Sequence, residues 1–119
     1  MVSFKRLIKS FGYAGRGLAK VFKEEQNFKI EVLAAFVVIL VALTIEVSLV
    51  ELTVLILAIG LVLVMEVINS AVEAISDVLK PKLDNYVKRI KDIVAAGVML
   101  SALTALAIGC LIFGQYFLH

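Results

Sequence analysis

The sequence predicts an all-α membrane protein with three transmembrane helices and an N-terminal amphipathic helix on the membrane surface. Three observations lead to this fold class. Of the 119 residues, 62% are hydrophobic and the mean hydropathy is +1.05, which is more apolar surface than so short a chain can bury in its own core. The apolar residues are concentrated in three long runs. All 12 lysines and arginines fall in two blocks outside those runs.

The N-terminal stretch, residues 3–24, has the 3.6-residue periodicity of an amphipathic helix, with Ser3 as its expected N-cap. One face contains Phe4, Leu7, Ile8, Phe11, Leu18 and Phe22. The opposite face contains Lys5, Arg6, Lys9, Arg16, Lys20 and Lys23. A basic face opposite an apolar one suits the plane of an anionic membrane surface, so we expect this helix to lie on the bilayer.

The three apolar runs predict membrane crossings at residues 30–50, 52–72 and 93–118 within a single domain, 1–119. A crossing of the hydrocarbon layer needs roughly 20 predominantly apolar residues. With three crossings, both basic blocks lie on one side of the membrane, and the positive-inside rule makes that side cytoplasmic. We therefore expect a cytoplasmic N-terminus and a C-terminus outside.

The second crossing carries polar residues where lipid-facing side chains should be. At about 100° per residue, Glu66, Asn69, Glu73 and Asp77 fall on one face of a helix. This acidic stripe begins inside the membrane and rises to its cytoplasmic surface. Carboxylates at such depth are costly and must face protein, water or metal. Glu66, the deepest, is a candidate general base for an alcohol substrate.

A second acidic group, containing Glu25 and Glu31, begins the first crossing at the same interface. Carboxylate oxygens are ligands for hard divalent cations, so Glu25 and Glu73 could hold Mg²⁺ between them, close to nucleotide phosphates. Lys91 could neutralise phosphate oxygens. Asp92 is expected near the start of the last helix, where the helix dipole favours an anion.

Two alternatives remain open from the residues alone. The chain could be an ion transporter or channel subunit that uses its membrane carboxylates as ion ligands. It could also be a structural protein whose polar side chains only hold helices together. No glycine-rich phosphate loop or protein-kinase motif is present, so a nucleotide site would be unconventional.

The acidic stripe resembles the hallmark of the prokaryotic diacylglycerol kinase family, E-x-x-N-[ST]-A-[IV]-E-x-x-x-D followed by K-D-x-[AGS]-[AGS]. Residues 66–77 read EVINSAVEAISD and match the first motif; Lys91 and Asp92 match the start of the second, from which Val94 departs. The similarity covers nearly the whole chain. It implies a small bacterial inner-membrane lipid kinase, a homotrimeric helical bundle with active sites shared between neighbouring subunits and no nucleic-acid partner.

The resemblance also implies residue roles. Glu66 matches the catalytic base, Asn69 a residue that supports it, and Glu25 and Glu73 the ligands of Mg²⁺. The expected ATP-binding residues are Arg6, Tyr13, Glu25, Glu73, Asp77, Lys91 and Asp92. The expected lipid-binding residues are Glu31, Glu66 and Ala95. The loop at 80–86 is less acidic than in enterobacterial members, so no nucleotide contacts are assigned to it. The expected reaction is phosphorylation of diacylglycerol by ATP, with undecaprenol as the alternative acceptor.

Overall fold

The computed structural model describes residues 2–79 and 84–118, and within these ranges the chain folds into four helices. They are α1 (Phe4–Glu24), α2 (Gln26–Thr44), α3 (Leu49–Leu79) and α4 (Asp84–Phe117). The last three are long and apolar enough to cross a membrane. The predicted all-helical fold class, with one amphipathic and three membrane-spanning helices, is confirmed.

Helix α1 begins where predicted, because the hydroxyl oxygen of Ser3 accepts a hydrogen bond from the backbone N–H of Arg6 at 3.4 Å. None of its residues is buried, and the side chains of Phe4 and Phe11 are 75% and 71% exposed. An exposed aromatic face of this kind fits the interfacial position expected for α1.

The chain turns between α1 and α2 at Glu25, whose backbone is extended (φ −105°, ψ 109°). The rings of Phe22 and Phe28 pack edge to face across this turn with centroids 6.4 Å apart. Phe28 is buried, so the aromatic contact fixes the angle between the surface helix and the first membrane helix.

The first crossing was expected to continue to residue 50, but α2 ends at Thr44. Glu46 adopts the left-handed conformation (φ 58°), and the N–H of Val47 bonds to the carbonyl of Ala42 at 3.2 Å, which forms a Schellman-type helix end. Ser48 and Glu51 then form a reciprocal capping box that starts α3, with bonds of 3.0 and 3.1 Å.

The second and third predicted crossings, 52–72 and 93–118, lie almost entirely within longer helices. Helix α4 begins at Asp84, well before the apolar run, because its first turns are amphipathic: Val87 is only 4% exposed whereas Lys88 is exposed. Asp92 therefore lies inside α4 and not at its N-terminus, so the predicted stabilisation of Asp92 by the helix dipole is wrong. Residues 80–83, the first part of the predicted loop, lie outside the described residues.

The buried core lies at the end of the bundle where α2 turns into α3. Ala42, Leu55 and Ile112 are buried there and bring α2, α3 and α4 together. At the same end, the Tyr116 hydroxyl donates a hydrogen bond of 2.5 Å to Glu51. In the most apolar stretch of α2, and likewise in that of α4, only 11% of the residues are buried within the chain. The remaining apolar surface is suited to contact lipid or other subunits.

Candidate active site

The acidic stripe of α3 changes from buried to exposed along the helix. Glu66 is 2% exposed, Asn69 and Glu73 are half-buried, and Asp77 is exposed. The rest of the chain therefore covers this face of α3 at Glu66 and leaves it open at Asp77. Because helix geometry keeps these four residues on one face, α3 alone determines their order and spacing.

Two carboxyl groups from the first half of the chain meet this stripe. Glu31, near the start of α2, lies beside Glu66, and its Oε2 atom is buried without a hydrogen-bond partner in the described part of the chain. Glu25, at the turn between α1 and α2, lies beside Glu73. The structure therefore groups the four predicted glutamates into a deep pair, Glu31–Glu66, and a surface pair, Glu25–Glu73.

The polar residues between Glu66 and Glu73 contact the surface pair. The amide nitrogen of Asn69 donates to Oε1 of Glu73 at 3.4 Å, one helical turn away. Asn69 was predicted to support Glu66; the hydrogen bond it makes is to Glu73. The Ser70 hydroxyl lies beside the carboxyl group of Glu25. Sequence reasoning missed this Ser70 contact, although Ser70 lies close to the acidic stripe on the helical wheel.

Burial raises the pKa of Glu25 above its ordinary value, and the negative charge of Glu73 raises it further, with a smaller effect from Glu66. The Ser70 hydroxyl acts in the opposite direction. Two carboxylates held this close repel each other unless a proton or a cation lies between them. The surface pair is therefore an acidic site that a cation would stabilise.

The surface pair fits Mg²⁺. This ion is usually held by one or two protein carboxylates, and the remaining positions are taken by water and substrate phosphates. In residues 2–79 and 84–118, no set of three or more acidic, histidine or cysteine side chains has a metal-binding arrangement. A two-carboxylate site completed by phosphate oxygens is consistent with this finding.

A small cavity of about 200 Å³ opens beside the deep pair, between α2, α3 and α4. Its lining is apolar except for Glu31: Ala34, Ala35, Val38, Ile59, Val62, Leu63, Ala102 and Ala105. Small side chains on facing helices leave this space open. The cavity thus brings an apolar surface next to the side chain of Glu31.

The predicted nucleotide residues outside the acidic cluster lie elsewhere in the single chain. Arg6 and Tyr13 are exposed on α1, where the guanidinium of Arg16 lies 4.9 Å from the Tyr13 ring centroid. Asp92 lines a groove of about 430 Å³ on one face of α4, whereas Lys91 is half-buried. The groove is lined by Asn85, Lys88, Arg89, Asp92, Ile93 and Ala96. Ala95, the predicted lipid contact, is exposed.

The family model for prokaryotic diacylglycerol kinase matches residues 12–113, which is most of the chain and includes every element of the acidic cluster. The chain belongs to the prokaryotic diacylglycerol kinase family. This membership confirms the predicted lipid kinase and sets aside the transporter and structural alternatives.

Several named kinases are similar to this chain over nearly its whole length. Undecaprenol kinase of Bacillus subtilis is 34% identical over 108 residues, which cover 91% of this chain and 88% of the relative. Diacylglycerol kinase of Escherichia coli K12 is 29% identical over 114 residues, covering 96% and 93%. Diacylglycerol kinase of Synechocystis is 32% identical over 108 residues, covering 89% of this chain and 62% of the relative.

Proposed function

We propose that this lipid kinase transfers the γ-phosphate of ATP to the hydroxyl of diacylglycerol and so forms phosphatidic acid and ADP. The observation that carries the proposal is the arrangement of the two acidic pairs: Glu31–Glu66 lies deep on α3, and Glu25–Glu73 lies nearer the surface. A lipid hydroxyl can reach the first from the membrane and a nucleotide can reach the second from water.

Glu66 acts as the general base. Its burial excludes water, and the apolar cavity beside Glu31 gives a lipid chain access to the same level of the helix. Glu66 accepts the hydrogen bond of the lipid hydroxyl and removes its proton as the new O–P bond forms and the bond to ADP breaks, while Glu31 lines the cavity beside it. Ala95 contacts the lipid through its methyl group.

The surface pair and the cationic residues handle ATP. Glu25 and Glu73 would hold Mg²⁺, which offsets the negative charge of the phosphates when bound. Asn69 orients Glu73 through its hydrogen bond. The proposed nucleotide site also contains Arg6, Tyr13, Asp77, Lys91 and Asp92. Lys91 neutralises charge that develops during transfer.

Undecaprenol is the second candidate acceptor, and one observation favours it: the Bacillus subtilis relative, 34% identical to this chain, is named undecaprenol kinase. The chemistry at the hydroxyl would be the same, and the product would be undecaprenyl phosphate. The two acceptors differ in the tail that the membrane-embedded surface must accommodate.

The direct test is to offer purified protein labelled ATP, Mg²⁺ and each lipid alcohol separately in the same detergent micelles. We expect labelled phosphatidic acid from diacylglycerol. A product from undecaprenol alone would transfer the assignment to the second candidate. Absence of labelled product from both alcohols, with the protein folded, would contradict the proposed function.

We further propose that the active protein is a homotrimer whose sites combine residues of neighbouring subunits. This would bring Lys91 of one subunit to the acidic pairs of another and cover part of the exposed apolar surface. Mixing Glu66→Gln and Lys91→Ala subunits should then restore activity that neither variant has alone. Mixing Glu66→Gln with Glu73→Gln is the control, because both residues lie on α3 and no intact acidic stripe can form.

The proposed orientation in the bacterial inner membrane has the N-terminus in the cytoplasm and the C-terminus outside. Both basic blocks and the surface carboxylate pair then lie on the side that contains ATP. In a Cys110→Ser background, a cysteine replacing Gln115 should react with a membrane-impermeant maleimide in intact cells. A cysteine replacing Ser10 should react only after lysis, and the reverse pattern would invert the orientation.

A further inference from the structure

The carboxyl group of Glu25 is not held by its own helix. Glu25 occupies the N-cap position of α2, but its side chain makes no capping hydrogen bond. Side chains that cap well are shorter ones, such as serine, asparagine and aspartate. The carboxyl group instead lies against α3, beside Glu73 and Ser70. Its direction must therefore be determined by groups on α3.

Ser70 differs from four other hydroxyl residues within the helices. A serine or threonine in a helix commonly donates its hydroxyl to the carbonyl four residues earlier, as Thr53 does to Leu49 at 2.8 Å. The same bond is made by Ser10, Thr44 and Thr104. The Ser70 hydroxyl is buried and has no hydrogen-bond partner in the described residues. Buried hydroxyls almost always have a partner, so this donor is available to a neighbouring acceptor.

Two consecutive residues of α3 thus face the two carboxylates of the surface pair. Asn69 donates to Glu73. Ser70 lies beside Glu25. We propose that Ser70 is a positioning residue: it donates its hydroxyl to the Glu25 carboxylate and holds Glu25 toward Glu73 when a divalent cation and ATP bind. The inference rests on the proposed role of Glu25 and Glu73 as the metal-binding pair.

This role makes a specific prediction about which kinetic quantity changes. Ser70 does not contact the lipid hydroxyl or take the proton, so the transfer step should proceed normally once metal and nucleotide are bound. Loss of the hydroxyl leaves Glu25 free to turn away from Glu73, which weakens metal binding. Residues that orient metal ligands typically change metal affinity by roughly 10- to 100-fold when they are removed.

The test uses the purified full-length chain and Mn²⁺ as a probe, with binding in the presence of ATP and without lipid measured by electron paramagnetic resonance. We expect Ser70→Ala to weaken Mn²⁺ binding by roughly tenfold or more. Ser70→Thr, which keeps the hydroxyl, should restore it. In the kinase assay, Ser70→Ala should raise the KM for Mg²⁺·ATP while kcat at saturation stays close to that of the wild type.

The matched control is Ser101→Ala. Ser101 is a buried serine of α4 whose hydroxyl already donates to the Val98 carbonyl at 2.7 Å, so its loss should leave Mn²⁺ affinity unchanged. A double-mutant comparison provides a further test. Ser70→Ala should have no additional effect in a Glu25→Gln background, because the hydroxyl then has no carboxylate to orient.

The outcomes separate the two hypotheses. The role of Ser70 would be overturned if Ser70→Ala bound Mn²⁺ as tightly as the wild-type protein does. It would also be overturned if the effects of Ser70→Ala and Glu25→Gln were additive. Either result would leave the kinase proposal intact. Wild-type protein that binds no Mn²⁺ in the presence of ATP would overturn the metal site and the positioning role together. If Ser70→Ala fails to fold, Ser70→Thr alone decides: weakened binding would contradict the proposal.

Discussion

Replacement of Glu66 by glutamine tests the central step of the proposed reaction. Glutamine keeps the size of the side chain in a position that is 2% exposed, and it cannot accept the hydroxyl proton. A general base contributes roughly 10²- to 10⁴-fold, so we expect kcat to fall at least about 100-fold, equivalent to about 2.7 kcal/mol in the activation barrier. Folding should be retained, because glutamine keeps the shape of the side chain and removes one carboxyl group from the Glu31–Glu66 pair.

The assay follows transfer of labelled phosphate at saturating Mg²⁺, ATP and lipid alcohol in detergent micelles, with thermal unfolding measured in parallel. Glu51→Gln is the matched control. It makes the same chemical change on the same helix but at the opposite end, where Glu51 contacts Ser48 and Tyr116. A folded Glu66→Gln protein with near-normal kcat would refute the base assignment, and an equal loss in Glu51→Gln would show that the effect is not specific to the acidic stripe.

Three further substitutions have defined outcomes. Gly97→Ala places a Cβ atom 2.7 Å from Cε of Met65, the flexible end of that side chain, and gains about 0.5–1 kcal/mol in helix propensity, so we expect an unfolding temperature no lower than that of the wild type. Without metal, the raised pKa of Glu25 means that the folded state binds its proton more tightly than the unfolded state. In the presence of a chelator, the stability of the wild-type protein should therefore decrease as the pH rises from the ordinary glutamate pKa through the raised pKa of Glu25. Glu25→Gln should reduce this dependence of stability on pH, as measured by thermal unfolding at a series of pH values. Tyr116→Phe removes the hydrogen bond to Glu51 and should lower the unfolding temperature while kcat remains unchanged.

The fold class was predictable because the bilayer restricts the choices. A segment that crosses hydrocarbon must be helical and about 20 residues long, so three apolar runs and two basic blocks suffice to predict three helices and a surface helix. The positions of the helix ends were harder to predict from the sequence. The apolar run that forms α2 continues past Thr44, and only the left-handed Glu46 ends the helix there. The S-x-x-E spacing of Ser48 and Glu51 was a readable signal for the start of α3.

The acidic stripe was also predictable, since helical periodicity alone places its residues on one face. Its partners were not. Which α3 residue Glu25 meets depends on the turn after α1, and that turn depends on the packing of Phe22 against Phe28. The preference of the Asn69 amide for Glu73 over Glu66 is likewise a matter of side-chain direction, which sequence spacing leaves open because both glutamates lie within about one helical turn.

The kinase must bring together two substrates that dissolve in different phases, and the geometry of α3 offers a physical solution. Glu66 and Glu73 are separated along the helix by roughly 10 Å at 1.5 Å per residue. In the proposed reaction, the deep carboxylate meets the lipid hydroxyl and the surface carboxylate meets the nucleotide. A continuous hydrogen-bonded helix keeps this spacing constant, because changing it would break backbone bonds that the membrane cannot replace.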